Sequence, residues 1–539
     1  DFENSVEAKD EAAFAKAIEA FEKADTIRFD SQITNEEALI LQKLKETRGY
    51  KLINDEARKF AAFMKEYSTV SGTATYTTPL KAVNDANFVI SVGSSVKTDN
   101  PNARFAMNNS MIMNKGAAMY FHPVADPVVD EMGKNIMSIN HAPMQEEAVM
   151  YLILDLFAKK DALPEELADY LATFHSMKTI TVTETIKEKV VEIVKEMKVN
   201  EETGEEEEVE VEKSKMVPKK VEKEVEVDDN RPLEIVGTPA DFDAAMEKLL
   251  KKKDTFALMV GADFYSHPNA ANLARLVALV EKYTDFSVTM IPEKGNTLGV
   301  AMICELDELA GSYSVGYNVK ADFVISASGK GDLDMPAMNQ QEGTLTSIQL
   351  RVNPTNAALG YNGYVLNDIA NALGLDAKNT IDYTVQLGEI AGFASANFDD
   401  LPNHYTNSGE EMRGYELTIT KARKSRGDKV AAIDEAAAMT DALVYLANPT
   451  LQFNDFTNAS HQLSDEAGLY VSSDYATANE LAEGDSVLVE TTKGSMELNV
   501  KIDSKIGGNI PFVPSFDSNL NSEALFNDYR FSSATIKKV

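Results

Sequence analysis

Cysteine is nearly absent from this chain, which contains a single thiol, Cys304, among 539 residues. One thiol forms no intrachain disulfide, and it cannot by itself hold an iron–sulfur cluster, because such a cluster takes four ligands. The six histidines are scattered, and no two of them have the spacing of a zinc site. We therefore expect no metal site in this sequence and, from the cysteine content, a cytoplasmic location.

Long apolar segments are also missing. No apolar run approaches the roughly 20 residues that a transmembrane helix requires, and the chain does not start with a charged and then apolar leader. We expect no direct insertion into a membrane. The sequence begins with Asp1 rather than methionine, so we expect a fragment or a processed chain.

Positive charge is scarce. The chain has 52 lysines and arginines against 86 acids, and its formal net charge is −34. Nucleic acids and acidic membrane surfaces bind positively charged protein faces, so neither is an expected partner. The charge instead favours solubility and basic partners.

Familiar catalytic motifs are missing as well. The sequence contains no G-x-G-x-x-G loop, no phosphate-binding P-loop and no recognisable Ser–His–Asp set. His122 precedes a proline at a predicted strand end, and His267 stands at a predicted helix start. Both positions favour a hydrogen-bonded structural role over catalysis.

The stretch from Ala321 to Gly374 is the most informative part of the chain. It opens with a short β-branched run, Phe323 to Ile325, that predicts a buried strand, and it closes with a predicted helix, Leu366 to Leu373. Between them lies a polar loop, Asn339 to Thr344, whose side chains can donate and accept hydrogen bonds. Such loops bind ligands at the carboxyl ends of parallel strands. The residues alone favour the simpler interpretation, in which the amides hold a long connection in place.

Strands and helices alternate through most of the chain, which predicts parallel sheets covered by helices. Strands are predicted at residues 26–29, 88–93, 118–121, 255–260 and 286–290. The strand that ends at Gly93 leads into a loop, Ser94 to Asn100, and a helix that begins at Pro101, an arrangement of Rossmann type. The last of these strands leads into a tight loop, Gly295 to Gly299. From about residue 450 onward, short strands separated by glycine turns predict a β-barrel.

The composition changes abruptly between Glu184 and Asp229, where 46 residues contain 17 acids, 9 lysines and no aromatic residue. A disordered charged insert is one interpretation, and a charged helix over Glu184–Lys198 is another. Valines at even spacing on both sides of a turn at Asn200–Glu205 predict a long β-hairpin, the interpretation that we prefer. A solvated surface is the default role of such a segment, and contact with a neighbouring subunit is the alternative.

Two segments resemble a known family. The first, at residues 338–373, is MNQQEGTLTSIQLRVNPTNAALGYNGYVLNDIANAL. It resembles the molybdopterin oxidoreductase superfamily, and within it one branch, the large iron–sulfur subunit of the bacterial proton-pumping NADH:quinone oxidoreductase, respiratory complex I. The closing segment, NSEALFNDYRFSSATIKKV at residues 521–539, is similar to the same branch. That branch keeps the superfamily fold and is not expected to hold molybdenum.

The resemblance implies an α/β, molybdopterin-oxidoreductase-like fold with two Rossmann-like parallel-sheet domains and a C-terminal β-barrel. The expected parts are a first α/β domain at 1–178, a charged insertion at 179–230, a second α/β domain at 231–375, a connecting segment at 376–449 that returns to the first sheet, and a barrel at 450–539 that resembles the molybdopterin dinucleotide-binding domain.

Three loops match those that approach the cofactor in the superfamily, and here we expect relics of that site. The residues concerned are Gly93, Ser94, Asn100, Asn296, Gly299, Gln341, Glu342, Gly343 and Thr344. The branch implies no catalytic residue, no metal ligand and no cofactor in this fragment, with iron–sulfur clusters expected in a region preceding Asp1. It also implies partners among the other subunits of the peripheral arm of complex I, on the cytoplasmic side of the membrane.

The role implied for this chain is therefore a structural scaffold that supports electron transfer from NADH or another donor to quinone, without a redox centre of its own. The main alternative is a molybdenum or tungsten pterin oxidoreductase with unusual metal ligation. A free-standing binding protein that uses the charged arm is a third interpretation.

Overall fold

The computed structural model describes residues 9–199, 206–327, 329–448, 467–517 and 520–539. The helices, in chain order, are α1 (Glu11–Lys23), α2 (Asn35–Arg48), α3 (Asp55–Ser71), α4 (Lys81–Asp85), α5 (Val96–Asp99), α6 (Pro101–Met113), α7 (Pro127–Asp130), α8 (Glu146–Phe157), α9 (Glu165–Ala172), α10 (Arg231–Val236), α11 (Phe242–Leu250), α12 (Ala262–Ser266), α13 (Ala270–Tyr283), α14 (Thr297–Ile303), α15 (Leu366–Ala372) and α16 (Ser473–Ala478).

The strands, in chain order, are β1 (Thr26–Phe29), β2 (Lys51–Ile53), β3 (Phe88–Val92), β4 (Ala117–Phe121), β5 (Ile136–Ile139), β6 (His175–Val199), β7 (Glu206–Asn230), β8 (Phe256–Val260), β9 (Phe286–Met290), β10 (Ser314–Tyr317), β11 (Phe323–Ala327), β12 (Leu333–Met335), β13 (Gly343–Thr346), β14 (Arg351–Thr355), β15 (Tyr415–Glu416), β16 (Leu443–Leu446), β17 (Leu469–Val471), β18 (Ser486–Thr491), β19 (Ser495–Ile502), β20 (Phe512–Val513) and β21 (Phe531–Lys538). The chain divides into two units, one formed by Asp1–Leu163 and Ile235–Val539 and the other by Pro164–Glu234.

The first parallel sheet has the strand order β12-β11-β10-β1-β2. Its inner strands β1 and β10 place Ile27 opposite Val315, and both side chains are fully buried. Helix α2 connects β1 to the parallel strand β2, as a crossover between parallel strands requires. The predicted strand at residues 26–29 therefore belongs to a parallel sheet with a covering helix, as the alternation of strands and helices predicts.

The second parallel sheet has the order β5-β4-β3-β8-β9. β3 and β4 are buried along their whole lengths, as expected of parallel strands covered on both faces. Helix α13 packs against α3 and α8, and its buried side chains Leu273, Leu276, Val277 and Val280 recur at helical spacing. The carboxyl ends of β3, β8 and β9 meet at one edge of this sheet.

The two sheets do not divide the chain at the expected boundaries of 1–178 and 231–375. β1 and β2 belong to the first sheet, β3 to β5 with β8 and β9 form the second, and the chain then returns to the first sheet for β10 to β12. Each sheet is thus built from separated segments. Periodicity predicts that strands and helices alternate, but the sheet that accepts each strand depends on contacts between distant parts of the chain.

The C-terminal barrel is closed, with the order β16-β20-β17-β19-β18-β21. Its first strand, Leu443–Leu446, lies in the segment 376–449 that was expected to return to the first sheet. This expectation is corrected, because β16 pairs with β20 and β21. The same segment contributes β15 to a small antiparallel sheet with β13 and β14. The predicted barrel start at residue 450 lies outside the described residues.

The unit Pro164–Glu234 contains a long antiparallel hairpin, which confirms the preferred interpretation of the charged insertion. β6 and β7 each span 25 residues and pair from His175 opposite Asn230 to Val199 opposite Glu206. Exposed ion pairs cross between the strands, from Lys219 to Glu188 and from Lys215 to Glu192. The predicted turn at residues 200–205 lies outside the described residues.

Across the part of the chain that the structure describes, no helix has both the length and the apolar character to cross a bilayer.

Candidate functional site

Buried and half-buried polar side chains gather at the carboxyl ends of both parallel sheets, in two clusters that contain two of the nine predicted site residues, Asn296 and Thr344. The first, which we call the Arg530 cluster, consists of Asp99, His122, Asp263, Tyr445 and Arg530. The second, which we call the Glu36 cluster, consists of Asn35, Glu36, Asn296, Thr344 and Thr346.

The first predicted loop turns at Gly93, where φ is +64°. A Cβ atom at this position would lie 2.4 Å from the Phe264 ring, so the backbone conformation and the available space both require glycine. The following residues turn inward. Ser94 Oγ donates to Asp99 Oδ2 at 3.1 Å, and the Ser95 backbone N–H donates to the same oxygen at 2.9 Å. A carboxylate of the chain itself therefore occupies the donors of this loop.

Arg530 comes from the segment before the last barrel strand and pairs with two acids of the second sheet's edge. Its guanidinium lies 2.9 Å from Asp99 Oδ1 and 3.1 Å from Asp263 Oδ1. The three side chains are 14%, 13% and 1% exposed. Burial alone would lower the pKa of Arg530, but Asp99, Tyr445 and Asp263 together raise it well above its ordinary value. The guanidinium carbon also lies 4.9 Å from the centre of the Tyr445 ring, which adds a cation–π contact.

Two buried histidines pair with acids in the same region. His122 Nε2 lies 2.9 Å from Asp263 Oδ2, so the predicted hydrogen-bonded role of this histidine is confirmed. His267 Nε2 lies 3.1 Å from Glu146 Oε2. Burial raises the pKa of Glu146, but the neighbouring side chains of His267, His141 and Tyr529 outweigh burial and lower it to about 2. Each of the two histidines therefore lies close to a buried carboxyl group.

Glu36 is a fully buried carboxylate in the first turn of α2. Its Oε2 accepts from the Thr344 backbone N–H at 2.7 Å, and its Oε1 accepts from the hydroxyls of Thr344 and Thr384 at 2.8 Å each. Burial raises the pKa of Glu36 above its ordinary value, and these hydrogen bonds oppose the rise. Helix α2 begins with a capping box formed by Thr34 and Glu37.

The second predicted loop is partly helical, because α14 begins at Thr297. This finding corrects the prediction of a tight loop that extends to Gly299. Asn296 Oδ1 accepts from the Thr346 backbone N–H at 2.8 Å, which ties this loop to the Glu36 cluster. A Cβ atom at Gly299 would lie 2.3 Å from Asn296 Oδ1 and 2.2 Å from Asn35 Oδ1, so glycine is required here for close packing within a helix.

The third predicted loop divides between the interior and the surface. Gly343 and Thr344 belong to the interior, and a Cβ atom at Gly343 would lie 2.7 Å from the Thr34 side chain. Gln341 is buried, and within the described residues its Oε1 accepts no hydrogen bond. Glu342 is exposed. The fold thus unites the second and third loops, while the first loop belongs to the Arg530 cluster.

The segment between β9 and α14 reaches both sheet edges. Lys294 Nζ lies 3.3 Å from Asp30 Oδ2 and 3.4 Å from Glu56 Oε2, and so connects the carboxyl end of β9 to that of β1. Its neighbour Glu293 reaches solvent. The surrounding protein and the charge of Glu56 nevertheless raise the pKa of Glu293 to about 7, against the opposing charge of Arg530.

Two further candidates have structural roles. Asn100 Oδ1 caps α6 by accepting from the backbone N–H groups of Asn102 and Ala103 at 3.0 and 3.1 Å. Cys304 is buried, and its Sγ lies 3.4 Å from the Ala38 carbonyl oxygen. Burial raises the pKa of this thiol far above its ordinary value.

The superfamily that residues 338–373 resemble binds a molybdenum or tungsten pterin, an anionic group that needs polar donors and a positively charged cradle. At the predicted loops these donors are already used, by Asp99 in the first loop and by Glu36 in the third. The Asp99 carboxylate would also repel an anion rather than attract it. The residues present therefore do not fit this group.

Sequence patterns missed three residues that organise these clusters: Glu36, Asp263 and Arg530. Arg530 lies within the closing segment that carries the family resemblance, where nothing sets it apart from its neighbours. Glu36 lies in the first turn of a helix, a position where acids are common because they interact favourably with the helix dipole. No local signal distinguishes these residues from ordinary surface charges.

No protein-family profile matches the chain, and a comparison with curated protein sequences finds no match. Among solved structures, the chain is similar to acetylene hydratase from Pelobacter acetylenicus, with a TM-score of 0.61 and 9% sequence identity, over 98% of this chain and 89% of that one. That protein has a molybdopterin oxidoreductase fold. The chain has this fold too, with two parallel sheets and a closed six-stranded barrel. At this identity the likeness establishes the fold alone.

Proposed function

We propose that this chain is the molybdopterin-oxidoreductase-like part of the large iron–sulfur subunit of a proton-pumping NADH:quinone oxidoreductase, and that it serves the complex as a structural scaffold. The observation that carries the proposal is that acids of the chain itself occupy the first and third loops, which in the superfamily approach the cofactor. Asp99 and Glu36 accept the hydrogen bonds of Ser95 and Thr344, so the chain itself takes the place of an external anion. The resemblance of residues 338–373 and 521–539 to the large iron–sulfur subunit of complex I supplies the identity of the assembly.

Opening the first loop for an anionic ligand would cost a large free energy. The ligand would have to displace Asp99 from Arg530, with which it forms two hydrogen bonds of 2.9 and 3.2 Å. Breaking a buried ion pair by removing one partner costs about 3–5 kcal/mol. The displaced carboxylate would then lie close to the ligand's own negative charge. The closed arrangement suits a structural role better than reversible binding.

The hairpin supports a place for the chain within a larger assembly. An isolated two-stranded ribbon is marginally stable at best in water. Large apolar side chains are nevertheless exposed along this ribbon: Met177 is 67% exposed, Ile193 63% and Met216 58%. Such exposed apolar surface is typical of a contact site for another protein. We propose that the ribbon contacts another subunit of the peripheral arm.

In this role the chain supports the neighbouring redox region and carries no electrons itself. The iron–sulfur clusters belong to the region that precedes Asp1 in the family, and the electron donor is NADH or another carrier bound by a different subunit. A rigid scaffold is useful here, because the rate of electron tunnelling falls steeply with the distance between redox centres and a rigid protein keeps that distance fixed. The complex lies on the cytoplasmic side of the membrane and passes electrons to quinone.

Metal and pterin analysis of the purified chain tests the proposal. The chain is produced in a host that makes the pterin cofactor, and a known molybdopterin enzyme purified from the same cells serves as the positive control. We expect no stoichiometric molybdenum, tungsten or pterin in the chain. Affinity purification from its native membranes should recover the other subunits of an NADH:quinone oxidoreductase. Stoichiometric metal with pterin, or recovery without any respiratory subunit, would overturn the scaffold function.

The second candidate function is a molybdenum or tungsten pterin oxidoreductase with unusual metal ligation. The similarity to acetylene hydratase over 98% of the chain favours it. This function requires the first and third loops to open and release Asp99 and Glu36 from their present hydrogen bonds. It predicts stoichiometric metal and pterin in the same analysis, so one measurement separates the two candidates.

A further inference from the structure

The outer face of α6 exposes a row of large apolar side chains. Phe105 is 64% exposed, Ile112 62% and Met113 75%. Residues seven positions apart lie on the same face of an α-helix, two turns from each other, so Phe105 and Ile112 line up and Met113 adjoins them. The opposite face of α6 packs into the core of the second sheet through Ala103, Ala106, Met107, Ser110 and Met111.

The charge around this face differs from that of the rest of the chain. The 25 residues 101–125 contain no Asp or Glu, although the chain has 86 acids. Three cations surround the helix: Arg104 within it, Lys115 directly after it, and Lys253, whose Nζ donates to the Lys115 carbonyl at 2.5 Å. Within the described ranges, no carboxylate pairs with any of the three. On the adjoining helix α4, Asp85 is already paired with Lys81.

We infer that the outer face of α6 is a docking site for a neighbouring protein subunit, one whose contact surface has an apolar centre and carboxylates at its rim. The apolar centre would cover Phe105, Ile112 and Met113, and the carboxylates would pair with Arg104 and Lys115. The identification of the partner as a subunit of the oxidoreductase rests on the proposed function.

Charge decides against a second copy of this chain as the occupant. Two copies of the same face would bring Arg104 and Lys115 close to the same cations of the partner copy, and like charges at an interface repel. The remainder of the chain is strongly acidic, with a net charge of −34, which also opposes self-association. An acidic membrane surface would attract these cations, but the strongly acidic remainder of the chain would repel that surface.

Site-specific photo-crosslinking in the native cells tests this inference. A benzophenone amino acid replaces Phe105 in the full chain, and the matched control places it at Leu309, which is 73% exposed at a different site. Mass spectrometry then identifies the crosslinked peptide. We expect the probe at position 105 to crosslink one acid-rich peptide of another subunit, and the probe at position 309 not to reach that peptide.

Variants measure the contribution of the face. Phe105→Asp combined with Ile112→Asp should lower recovery of the assembled complex about tenfold, because contact residues at the centre of an interface dominate its affinity. Leu309→Asp is the matched control and should leave recovery unchanged. Circular dichroism and the melting temperature of each purified variant verify folding, which is expected because these side chains are exposed.

The outcomes separate this inference from the proposed function. Assembly into the oxidoreductase without a crosslink from position 105, or a crosslink from 105 to a second copy or to lipid, overturns the docking site and leaves the scaffold function standing. A crosslink to an acid-rich peptide of a protein outside any respiratory assembly supports the docking site and overturns the scaffold function.

Discussion

Replacing Arg530 with methionine tests whether this side chain holds the barrel to the edge of the second sheet. Methionine keeps an unbranched apolar stem but removes the guanidinium, with its charge, its donors and its contact with the Tyr445 ring. Two acids, Asp99 and Asp263, then lose their cationic partner while they stay 13% and 1% exposed. Because these side chains are largely withheld from water, solvent screening reduces the loss only slightly.

The expected cost is about 3–5 kcal/mol, the range for removing one partner of a buried ion pair. Unfolding entropy is about 2.1 cal/mol/K per residue, so if the whole chain unfolds together the melting temperature of Arg530→Met should fall by about 3–4 °C. Differential scanning calorimetry measures this shift. If only the barrel unfolds, the shift in melting temperature should be larger, because the unfolding entropy that divides the lost free energy is then smaller.

An exposed pair provides the matched control. Lys159 and Asp285 lie 2.5 Å apart, but their side chains are 58% and 68% exposed. Lys159→Met should therefore cost less than about 1 kcal/mol. In the double variant Arg530→Met/Asp99→Asn, part of the lost stability should return, because one of the two orphaned charges is gone. The reasoning is refuted if Arg530→Met shifts the melting temperature no more than Lys159→Met does.

Three further predictions concern single positions. In urea unfolding, Gly93→Ala should destabilise the chain by about 1–3 kcal/mol more than the control Gly237→Ala. Both glycines have positive φ, but only at position 93 would the new Cβ collide with the Phe264 ring. Equal losses of stability in the two variants would contradict this packing argument. Glu293 has a pKa raised from 4.5 to about 7, so its contribution to stability is complete below pH 4.5 and is lost as the pH rises toward 7. The free energy of unfolding of Glu293→Gln, relative to the parent chain, should therefore rise between pH 5 and pH 8, and a constant difference would show that the environment does not raise this pKa. Cys304, whose thiol is buried with a raised pKa, should react with a maleimide only after denaturation, and rapid labelling of the native chain would place it at the surface.

The sequence patterns predicted much of the architecture. The predicted strands at residues 26–29 and 286–290 have the same bounds as β1 and β9. The hairpin was preferred over a helix or a disordered insert on the spacing of its valines, and the ladder of β6 and β7 confirms it. The closed barrel was predicted from short strands and glycine turns. In each case neighbouring residues carry the signal, because strand and turn formation depends on alternation and on local backbone freedom.

The candidate site was predicted only in part. Gly93 and Asn100 were chosen because their loop resembles one that approaches the cofactor in the superfamily. The structure gives them local roles, a turn and a helix cap, and their relation to a cofactor site stays a prediction. Gly299 was placed in a loop but lies in a helix. Glu342 is exposed, whereas its neighbour Thr344 is buried within a hydrogen-bond network. Local pattern does not determine which polar residues of a loop turn inward.

By itself, the sequence determined the classes of local structure, the strongly acidic surface and the absence of thiols for a cluster. Only the tertiary structure decided which strands share a sheet, which acids are buried and where their partners come from. Arg530 donates a hydrogen bond to Asp99, which lies 431 residues away in the sequence, and Thr344 donates one to Glu36, which lies 308 residues away. Periodicity reports on neighbours a few residues apart, whereas the pairing of buried charges depends on the packing of whole elements. The closed state of the cofactor loops, on which the scaffold proposal rests, is a property of that packing.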